Sequence, residues 1–320
     1  MGIVIRKLAR DLTVAATVCS MPKWLLYSIL AALSWGAWGV VLKVAADAVP
    51  PLQNQVLSTL GLLAPAALAW LMHHRDSATG TRSGRWLAFA SGLTGGLGNL
   101  ALLAALSGGG LASVVSPLTA MYPLLTVLAA CWWLRESLRQ VQVLGVVLAL
   151  GAVILFNIQE ATTAGSQNPS WSRWMPMALL ATTLFGATGL LQKLATNRVS
   201  AEGSFIAFAT GFLPIAGVIV LMPKLGWSYP ARDWCWAILG GTLNGLGVLA
   251  TLAAYRLGGK ASVVTPLAAL YPVATVLLAV ALLGERIGLR QTLAVALAVT
   301  GGIALSWERS TESPTSEQQR

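Results

Sequence analysis

The sequence predicts an all-α membrane protein of ten transmembrane helices, arranged as two inverted five-helix repeats. Hydrophobic residues make up 56% of the chain and charged residues only 10%, whereas a soluble domain carries about 25% charged residues. The apolar runs have about the 20 residues that a helix needs to cross a bilayer. In addition, a twelve-residue motif recurs 149 residues further along (261 − 112). Low charge, long apolar runs and duplication together define the class.

Ten apolar runs are long enough to cross a membrane, and none of them contains an aspartate or a glutamate. We expect apolar runs of this length without acidic residues to lie within the bilayer. The predicted spans are 24–45, 52–72, 86–106, 111–134, 139–157, 174–195, 204–222, 234–254, 260–283 and 288–307.

The second half of the chain repeats the first. Residues 112–123 read ASVVSPLTAMYP and residues 261–272 read ASVVTPLAALYP, with nine of twelve positions identical. Because each repeat has five spans, an odd number, the second must enter the membrane in the opposite sense. The chain then divides into an extension (1–23), a first repeat (24–157), an outer connecting loop (158–173), a second repeat (174–307) and a polar, disordered tail (308–320). Residues 1–20 have no counterpart in the second copy, and we expect a chain that starts at Met21 to insert and function.

Basic residues indicate the orientation. With a cytoplasmic N-terminus, fourteen lysines and arginines fall in inner loops and tails and five in outer loops, while Lys43 and Lys193 lie inside spans. Such a bias predicts a multi-pass protein of the cell membrane with both termini cytoplasmic. The net charge of +10 is scattered over short loops, so we expect the lipid bilayer, and no nucleic acid, as a partner. The sequence leaves open whether the protein forms a homodimer.

Two spans carry paired prolines. Pro117 and Pro266 have no backbone N–H, and therefore leave the carbonyls of Ser113 and Ser262 without their helical donors. A bare carbonyl is tolerated in a membrane where it is buried in protein or lines a watery cavity. We expect the hydroxyl-bearing faces of these helices to line a substrate cavity, although a packed structural kink would leave the same pattern. The side chains concerned are Ser113, Ser116, Ser262 and Thr265.

Six further side chains are candidates for substrate contact. The two tryptophans lie three residues apart and share a helix face, where they could stack on a ligand or face lipid. The two tyrosines could offer hydroxyls or fill gaps between helices. The asparagines are not at equivalent repeat positions, which suits an asymmetric ligand, but either could instead bond a neighbouring helix. These residues are Trp35, Trp38, Asn99, Tyr122, Asn244 and Tyr271.

Two lysines within spans are candidates for gating. A charge inside a membrane span usually has a partner or a path to water. The predicted topology brings Lys43 and Glu285 to the outer face and Lys193 and Glu136 to the inner face, so each face receives one lysine and one glutamate from opposite repeats. These pairs could open and close the two faces. Alternatively, both lysines could extend to the interface as anchors.

Several of these features resemble the EamA family of the drug/metabolite transporter superfamily. Trp35-Gly36 with Lys43 seven residues after the glycine is similar to the first span of that family, and Gly284-Glu285-Arg286 is similar to its repeat end. The first repeat has Arg135 where the motif usually has glycine. The resemblance covers residues 24–307 and implies ten spans in two repeats and transport of small organic solutes.

We therefore expect a secondary transporter of an amino-acid-like solute or a related metabolite, working by alternating access through facilitated diffusion or exchange. A sugar-uptake permease of the same superfamily is the alternative, and a channel is the alternative from another class. An enzyme is not expected, because the only histidines, His73 and His74, lie in a loop and no carboxylate lies in a span. No cofactor or metal is implied.

Overall fold

A computed structural model describes residues 21–73, 80–107, 119, 121–163, 171–223, 225–271, 273–274 and 288–306, at some positions (Lys43 among them) by the backbone alone. The described residues form α-helices and connecting turns, without β-strands. The helices are α1 (Lys23–Ala48), α2 (Pro51–Gly61), α3 (Leu63–His73), α4 (Arg82–Ser107), α5 (Tyr122–Trp133), α6 (Gln140–Thr163), α7 (Trp171–Thr196), α8 (Ala201–Val220), α9 (Ala231–Arg256), α10 (Ala261–Ala268) and α11 (Leu289–Ser306). The all-α prediction is confirmed.

Within the part of the chain that the structure describes, five helical segments are long and apolar enough to cross a membrane: Lys23–Val41, Pro51–Met72, Trp174–Thr196, Ala201–Val220 and Ala231–Arg256. Three shorter apolar helices accompany them: Tyr122–Trp133, Gln140–Leu155 and Thr292–Leu305. The chain is thus a multi-pass membrane protein, while the count of ten crossings stays a prediction.

The second predicted span is interrupted at Leu62, between α2 and α3. Pro65 has no N–H for the carbonyl of Gly61, four residues earlier. The hydroxyl of Thr242 in α9 donates to that carbonyl at 3.0 Å. A side chain from the other repeat therefore satisfies the backbone group that this proline leaves bare.

Helix α1 runs antiparallel to α9. Ala31 clusters with Ala250 near one end, and Ala45 clusters with Ala237 near the other. Helices α4 and α7 are also antiparallel, since the pair Thr94–Thr188 is followed along α4 by contacts of Ala105 with α7 residues nearer its start. In contrast, the α2–α3 segment runs parallel to α9, because Ser58 of α2 lies beside Gly241 and Pro65 of α3 lies beside Gly245.

Helix α8 runs parallel to α4, since Gly92 lies beside Phe208 and Gly96 beside Ile215. It runs antiparallel to the α2–α3 segment, since Val56 clusters with Ile219 and Leu62 with Phe205. The third helix of the first repeat, α4, therefore opposes the third helix of the second repeat, α9, which makes the repeats inverted.

The contacts between repeats recur when the repeats are exchanged. A Cβ atom added to Gly241 would collide with the carbonyl oxygen of Ser58, and one added to Gly92 would collide with that of Phe208. Ser58 and Phe208 are equivalent positions (58 + 150), as are Gly92 and Gly241 (92 + 149). Small residues permit this close approach of helix backbones in a membrane. The two halves are therefore joined by two equivalent interfaces.

Two left-handed backbone positions end helices near one another. Gly258 (φ 97°) follows α9, and the N–H of Gly259 donates to the carbonyl of Ala254 at 3.0 Å. Arg135 (φ 53°) follows α5, and the N–H of Glu136 donates to the carbonyl of Ala130 at 3.3 Å. The first pairing is the six-to-one bond of a helix C-terminal cap, and the second reaches one residue further back along its helix. Arg135 thus adopts a left-handed conformation at the position where the EamA-like motif usually has glycine.

Candidate functional site

Trp35 and Asn244, predicted separately as substrate-binding residues, are bonded to each other. The indole Nε1 of Trp35 in α1 donates to Oδ1 of Asn244 in α9 at 3.1 Å. Gly247, one turn along α9, makes room for the indole, because a Cβ atom there would lie 2.6 Å from Trp35 Nε1. Both bonded side chains are half-buried. This bond joins the first helix of one repeat to the third helix of the other.

The equivalent place in the other half is apolar. Phe185 stands where Trp35 stands in the first repeat (35 + 150), and Gly95 stands in place of Asn244 (244 − 149). A Cβ atom on Gly98 would lie 2.7 Å from the Phe185 ring. The ring therefore packs against a glycine, as the Trp35 indole packs against Gly247. The ring also packs edge-to-face on Tyr122, with centroids 6.1 Å apart. The interior is therefore symmetric in packing and asymmetric in polarity.

A pair of threonines supplies the polar contact of that half. The hydroxyls of Thr94 in α4 and Thr188 in α7 are 2.9 Å apart. The Thr188 hydroxyl also donates to the carbonyl of Leu184 at 2.8 Å, and that of Thr94 donates to the carbonyl of Ser91 at 3.1 Å. Neither threonine was singled out from the sequence, because an isolated Thr in an apolar helix most often bonds its own preceding turn.

Glu136 caps the start of α10. Its Oε1 accepts from the Ala261 N–H at 3.0 Å, and its Oε2 accepts from the Ser262 N–H at 2.9 Å and from the Ser262 hydroxyl at 2.7 Å. The first N–H groups of a helix have no partner within it, and they carry partial positive charge. A carboxylate from the first repeat thus satisfies a helix start in the second.

Lys193 caps the end of α9 in the same region. Its ammonium donates to the carbonyl of Gly259 at 2.6 Å and to that of Tyr255 at 3.4 Å, and lies 5.6 Å from the centre of the Tyr255 ring. The last carbonyls of a helix carry partial negative charge. Glu136 and Lys193 therefore hold the turn between α9 and α10 from its two sides. We call this arrangement the inner cap pair.

Lys193 and Glu136, which the sequence predicts at one face, lie at the same turn but do not form a direct ion pair. Their charges bind backbone groups on either side of one turn, and in the described part of the chain the ion pair present is Arg232 with Asp233 at 3.4 Å. The reason is geometric, since helix ends offer each charge complementary partners nearer than the other charge. The role of either residue in gating is a separate matter and stays a prediction.

The hydroxyls of Ser262 and Thr265 are engaged inside the protein. Ser262 binds Glu136, and Thr265 shares a 2.8 Å hydrogen bond with the Tyr255 hydroxyl. The two side chains are 0% and 4% exposed, respectively. The expected open cavity face along α10 is therefore closed in this conformation. Helix α10 continues through Pro266 and ends at Ala268, before the second proline.

The other predicted site residues divide into two groups. Trp38, Asn99 and Tyr271 are half-buried; Trp38 lies beside Gly240 in α9, with its Cδ1 3.9 Å from where a Cβ would be. Ser113, Ser116, Glu285 and the Lys43 side chain lie outside the described residues.

Two partners of the inner cap pair, Tyr255 and Gly259, were missed in the sequence. A signal was present, because Gly258-Gly259 lies one residue before the duplicated motif, and paired glycines mark a turn. Tyr255 has Leu106 as its repeat equivalent (255 − 149), so duplication gave no hint of its role.

Comparison with known proteins agrees with this layout. Residues 22–158 and 172–307 each match the EamA-like transporter family. No curated protein matches the chain, and 29 chains of solved structures do. One of these, titled "Crystal structure of protein", superposes with a TM-score of 0.72 at 18% identity over 89% of this chain and 96% of that chain; at this identity the likeness shows the fold alone. The family is one of transporters and not of enzymes. Since both repeats match it, the chain belongs to the EamA-like transporter family of the drug/metabolite transporter superfamily.

Proposed function

We propose that this protein carries a small organic metabolite, amino-acid-like or related, across the cell membrane by alternating access. The observation that carries the proposal is the exchange symmetry of the interface, in which Gly241 on Ser58 repeats as Gly92 on Phe208. Two equivalent interfaces between inverted halves allow the halves to rock into two arrangements of similar energy that are related by a pseudo-two-fold axis in the membrane plane. A substrate held between the halves would then meet each side of the membrane in turn. Both termini lie in the cytoplasm in this proposal.

Charged side chains that cap helix ends could close each end of the transport pathway in turn during such a cycle. In the proposed orientation, the inner cap pair of Glu136 and Lys193 closes the cytoplasmic end. Lys43 and Glu285 hold the equivalent sequence positions and would close the outer end in the alternate state. An interaction present in only one of two states biases their equilibrium by its differential strength. Breaking the inner caps would therefore favour the inward-open state.

We also propose that the protein transports its solute by facilitated diffusion or by exchange, without coupling to protons. Proton-coupled carriers commonly use an acid or a histidine within the membrane, and the predicted spans contain neither Asp, Glu nor His. The residues between the repeats therefore offer no obvious group to carry a proton through the spans together with a substrate.

Counterflow in proteoliposomes tests the proposal. Vesicles that hold the purified protein are preloaded with unlabelled solute and diluted into trace labelled solute, in turn for amino acids, sugars and other metabolites. An alternating-access carrier gives saturable, transient uptake that requires solute inside. Flux that rises linearly with concentration without stimulation from the other side would indicate a channel, the alternative class. Sugar counterflow without amino-acid counterflow would favour the sugar permease.

A pH gradient applied to the same vesicles tests the drive. Because no proton carrier is proposed, a gradient without preloaded solute should not concentrate the label. Uphill accumulation driven by the pH gradient alone would contradict this part of the proposal.

A further inference from the structure

Gln55 carries a carboxamide that is buried in the protein without a hydrogen-bond partner for its nitrogen. It lies in α2, within the segment Pro51–Met72 that is long and apolar enough to cross a membrane, and the residue is only 5% exposed. The described residues offer no acceptor to its Nε2 atom. An amide N–H that leaves water without gaining an acceptor destabilises the fold, so a group of this kind calls for an explanation. The sequence analysis did not single out this residue.

Helix α2 directs Gln55 toward the space between α8 and α9. On one flank of Gln55, the Ser58 hydroxyl donates to the carbonyl of Ala237 in α9 at 3.5 Å. On the other flank, Val56 clusters with Ile219 of α8. At about 100° per residue, Gln55 lies about 60° from Ser58 and about 100° from Val56 around the helix axis, between these two lines of contact.

The other half of the interface has a phenyl ring at the equivalent place. Phe205 (55 + 150) is fully buried, and its Cζ atom lies 3.3 Å from where a Cβ atom on Gly245 would be. The same Cβ position is in contact with Leu62 and Pro65. These four residues fill their part of the interface with apolar atoms, and we call them the apolar corner.

The contacts of the apolar corner recur around Gln55. The equivalent glycine is Gly96 (245 − 149), and a Cβ atom there would meet Phe212 (62 + 150) and Ile215 (65 + 150). Two of the three neighbours of the glycine are thus reproduced in kind, and Gln55 is the counterpart of the third, the phenyl ring. A glutamine side chain is smaller than a phenylalanine side chain, so this place is filled less completely and by a polar group.

A second carboxamide belongs to the same place. Val248 clusters with Phe205 in the apolar corner, and its counterpart in the first repeat is Asn99 (248 − 149), which is half-buried. Exchange of the halves therefore replaces a valine and a phenylalanine by an asparagine and a glutamine. We call Gln55, Gly96 and Asn99 the polar corner. Its two amides bring a capacity for hydrogen bonding that the packing of the halves does not require, because the apolar corner packs without it.

We propose that the polar corner is a binding site for an oxygen acceptor of the transported solute (a carbonyl, carboxylate or hydroxyl oxygen), with the Gln55 amide as the donor. An N–H group can donate but not accept, so the group that completes it is an acceptor. Because the apolar corner offers no such donor, the two halves hold different parts of the solute. The inference rests on the proposed function, since it names a residue that holds the solute.

The loop between α8 and α9 covers the start of α2 in this conformation. Gln53 donates from its Nε2 to the carbonyl of Gly226 in that loop at 3.4 Å, and Leu225 and Trp227 pack on the cluster that contains Val56. A solute therefore reaches Gln55 only when this end of the interface opens, which is what alternating access requires of a binding site between the repeats.

Two glutamines of the same helix provide a matched pair of variants. Gln55→Met keeps the length of the side chain and removes an amide without a partner, so it should raise the unfolding temperature of the solute-free protein in detergent by about 1–2 °C. Gln53 is as buried, at 6% exposed, but its amide is bonded, so Gln53→Met should not raise it. An unchanged or lower unfolding temperature in Gln55→Met, or failure of this variant to fold, would show that the amide already has a partner such as a resident water, and would overturn the inference.

Counterflow in proteoliposomes gives the second readout. The labelled probes are the twenty standard amino acids, glucose, galactose, xylose and uracil, and the compound that the wild-type protein exchanges is then titrated in both variants. The half-saturating concentration should rise at least about tenfold in Gln55→Met, as expected when a buried acceptor loses its donor. It should stay within about twofold in Gln53→Met. Higher stability together with weaker binding is not expected of a residue that only packs.

Failure of the inference is distinct from failure of the proposed function. An unchanged half-saturating concentration in Gln55→Met, or an equal rise in both variants, would overturn the inference and leave the transporter intact. Absence of counterflow for every probe in the wild-type protein would remove the proposed function, and the inference with it.

Discussion

Glu136 and Ser262 are 126 residues apart in the chain, in opposite repeats, and are joined by two hydrogen bonds of 2.9 and 2.7 Å to one carboxylate oxygen. The second oxygen binds the neighbouring N–H of Ala261. A carboxylate at a helix start gains from both the unpaired N–H groups and the helix dipole. Hydrogen bonds to a charged group contribute about 1.5–3 kcal/mol each to stability. This contact is therefore strong enough to bias two states that differ by a few kcal/mol.

Replacement of Glu136 by glutamine should open the inner end. Glutamine keeps one acceptor but points an NH₂ group at a donor, so at least one bond is lost. A loss of about 1.4 kcal/mol changes the ratio of closed to open states tenfold. In a background without native cysteines, Val264→Cys reports opening, because Val264 is fully buried in α10. The labelling rate of the introduced thiol by a water-soluble maleimide from the cytoplasmic side should rise several-fold.

The control for this variant is Glu202→Gln. Glu202 also lies in a first helical turn, that of α8, but it makes no described bond to the other repeat. Labelling of the thiol at position 264 should be unchanged in that variant. An equal increase in both variants would mean that loss of any such charge loosens the protein, and the cap would then have no particular role in closure.

Exchange of the two charges separates helix caps from a salt bridge. In Glu136→Lys with Lys193→Glu, an ammonium would face the N–H groups of α10, and a carboxylate would face the carbonyls of Tyr255 and Gly259. Both contacts become repulsive, so the double variant should transport less well than either single variant. Initial rates of counterflow measure this. Recovery of transport in the double variant would show that the two side chains pair directly.

The sequence was sufficient to predict the helical class, the duplication and the inversion, since these depend on composition, length and an odd number of spans. It brought Lys193 and Glu136 to one face but could not identify their partners. Those partners are backbone carbonyls and N–H groups, whose directions depend on the turn at Gly258, and side-chain patterns do not encode them. The end of α10 at Ala268, two residues past Pro266, could likewise not be predicted from the positions of the prolines alone.

The hydrogen bond between Trp35 and Asn244 is a second feature that the sequence alone could not predict. Each residue drew attention alone, as an aromatic or a polar group in an apolar span. Their hydrogen bond spans 209 residues and depends on the register of α1 against α9. That register follows from close glycine contacts such as Gly247 against the indole, and a single chain gives no measure of which glycines face which helix.

Alanine substitution at the two equivalent glycines should be damaging to a similar degree. At Gly92 and Gly241 the added methyl group would collide with a backbone carbonyl oxygen, of Phe208 and Ser58 respectively. Backbone atoms cannot move aside as a flexible side chain can, so each variant should lose at least about 1–3 kcal/mol of stability. Unfolding temperature in detergent measures the loss.

Gly151 and Gly217 are the matched controls, because a Cβ atom at either position meets no other atom within 4 Å. Alanine there should be neutral or stabilising by about 0.5–1 kcal/mol, since glycine is a poor helix former. Equal effects at all four positions would show that helix propensity dominates and that the repeats are not joined at these glycines.

Glycine in place of Arg135 should stabilise the protein. Arg135 has a φ of 53°, a left-handed conformation that costs a residue with a Cβ atom roughly 1–2 kcal/mol. Glycine adopts it freely, although it gains entropy in the unfolded chain, so the expected gain is about 0.5–1 kcal/mol and appears as a higher unfolding temperature. Because Glu136 directly follows Arg135, the turn aims the carboxylate at α10, and Arg135→Gly should leave a thiol at position 264 as protected as before.

Two variants decide whether the backbone is the source of that gain. Arg135→Ala keeps the strain and should not share the stabilisation. The reciprocal change, Gly258→Ala, introduces strain at a φ of 97° in open space and should destabilise by about 1–3 kcal/mol. Stabilisation by Arg135→Ala as large as by Arg135→Gly would show that the arginine charge, and not the backbone, was the source of the cost.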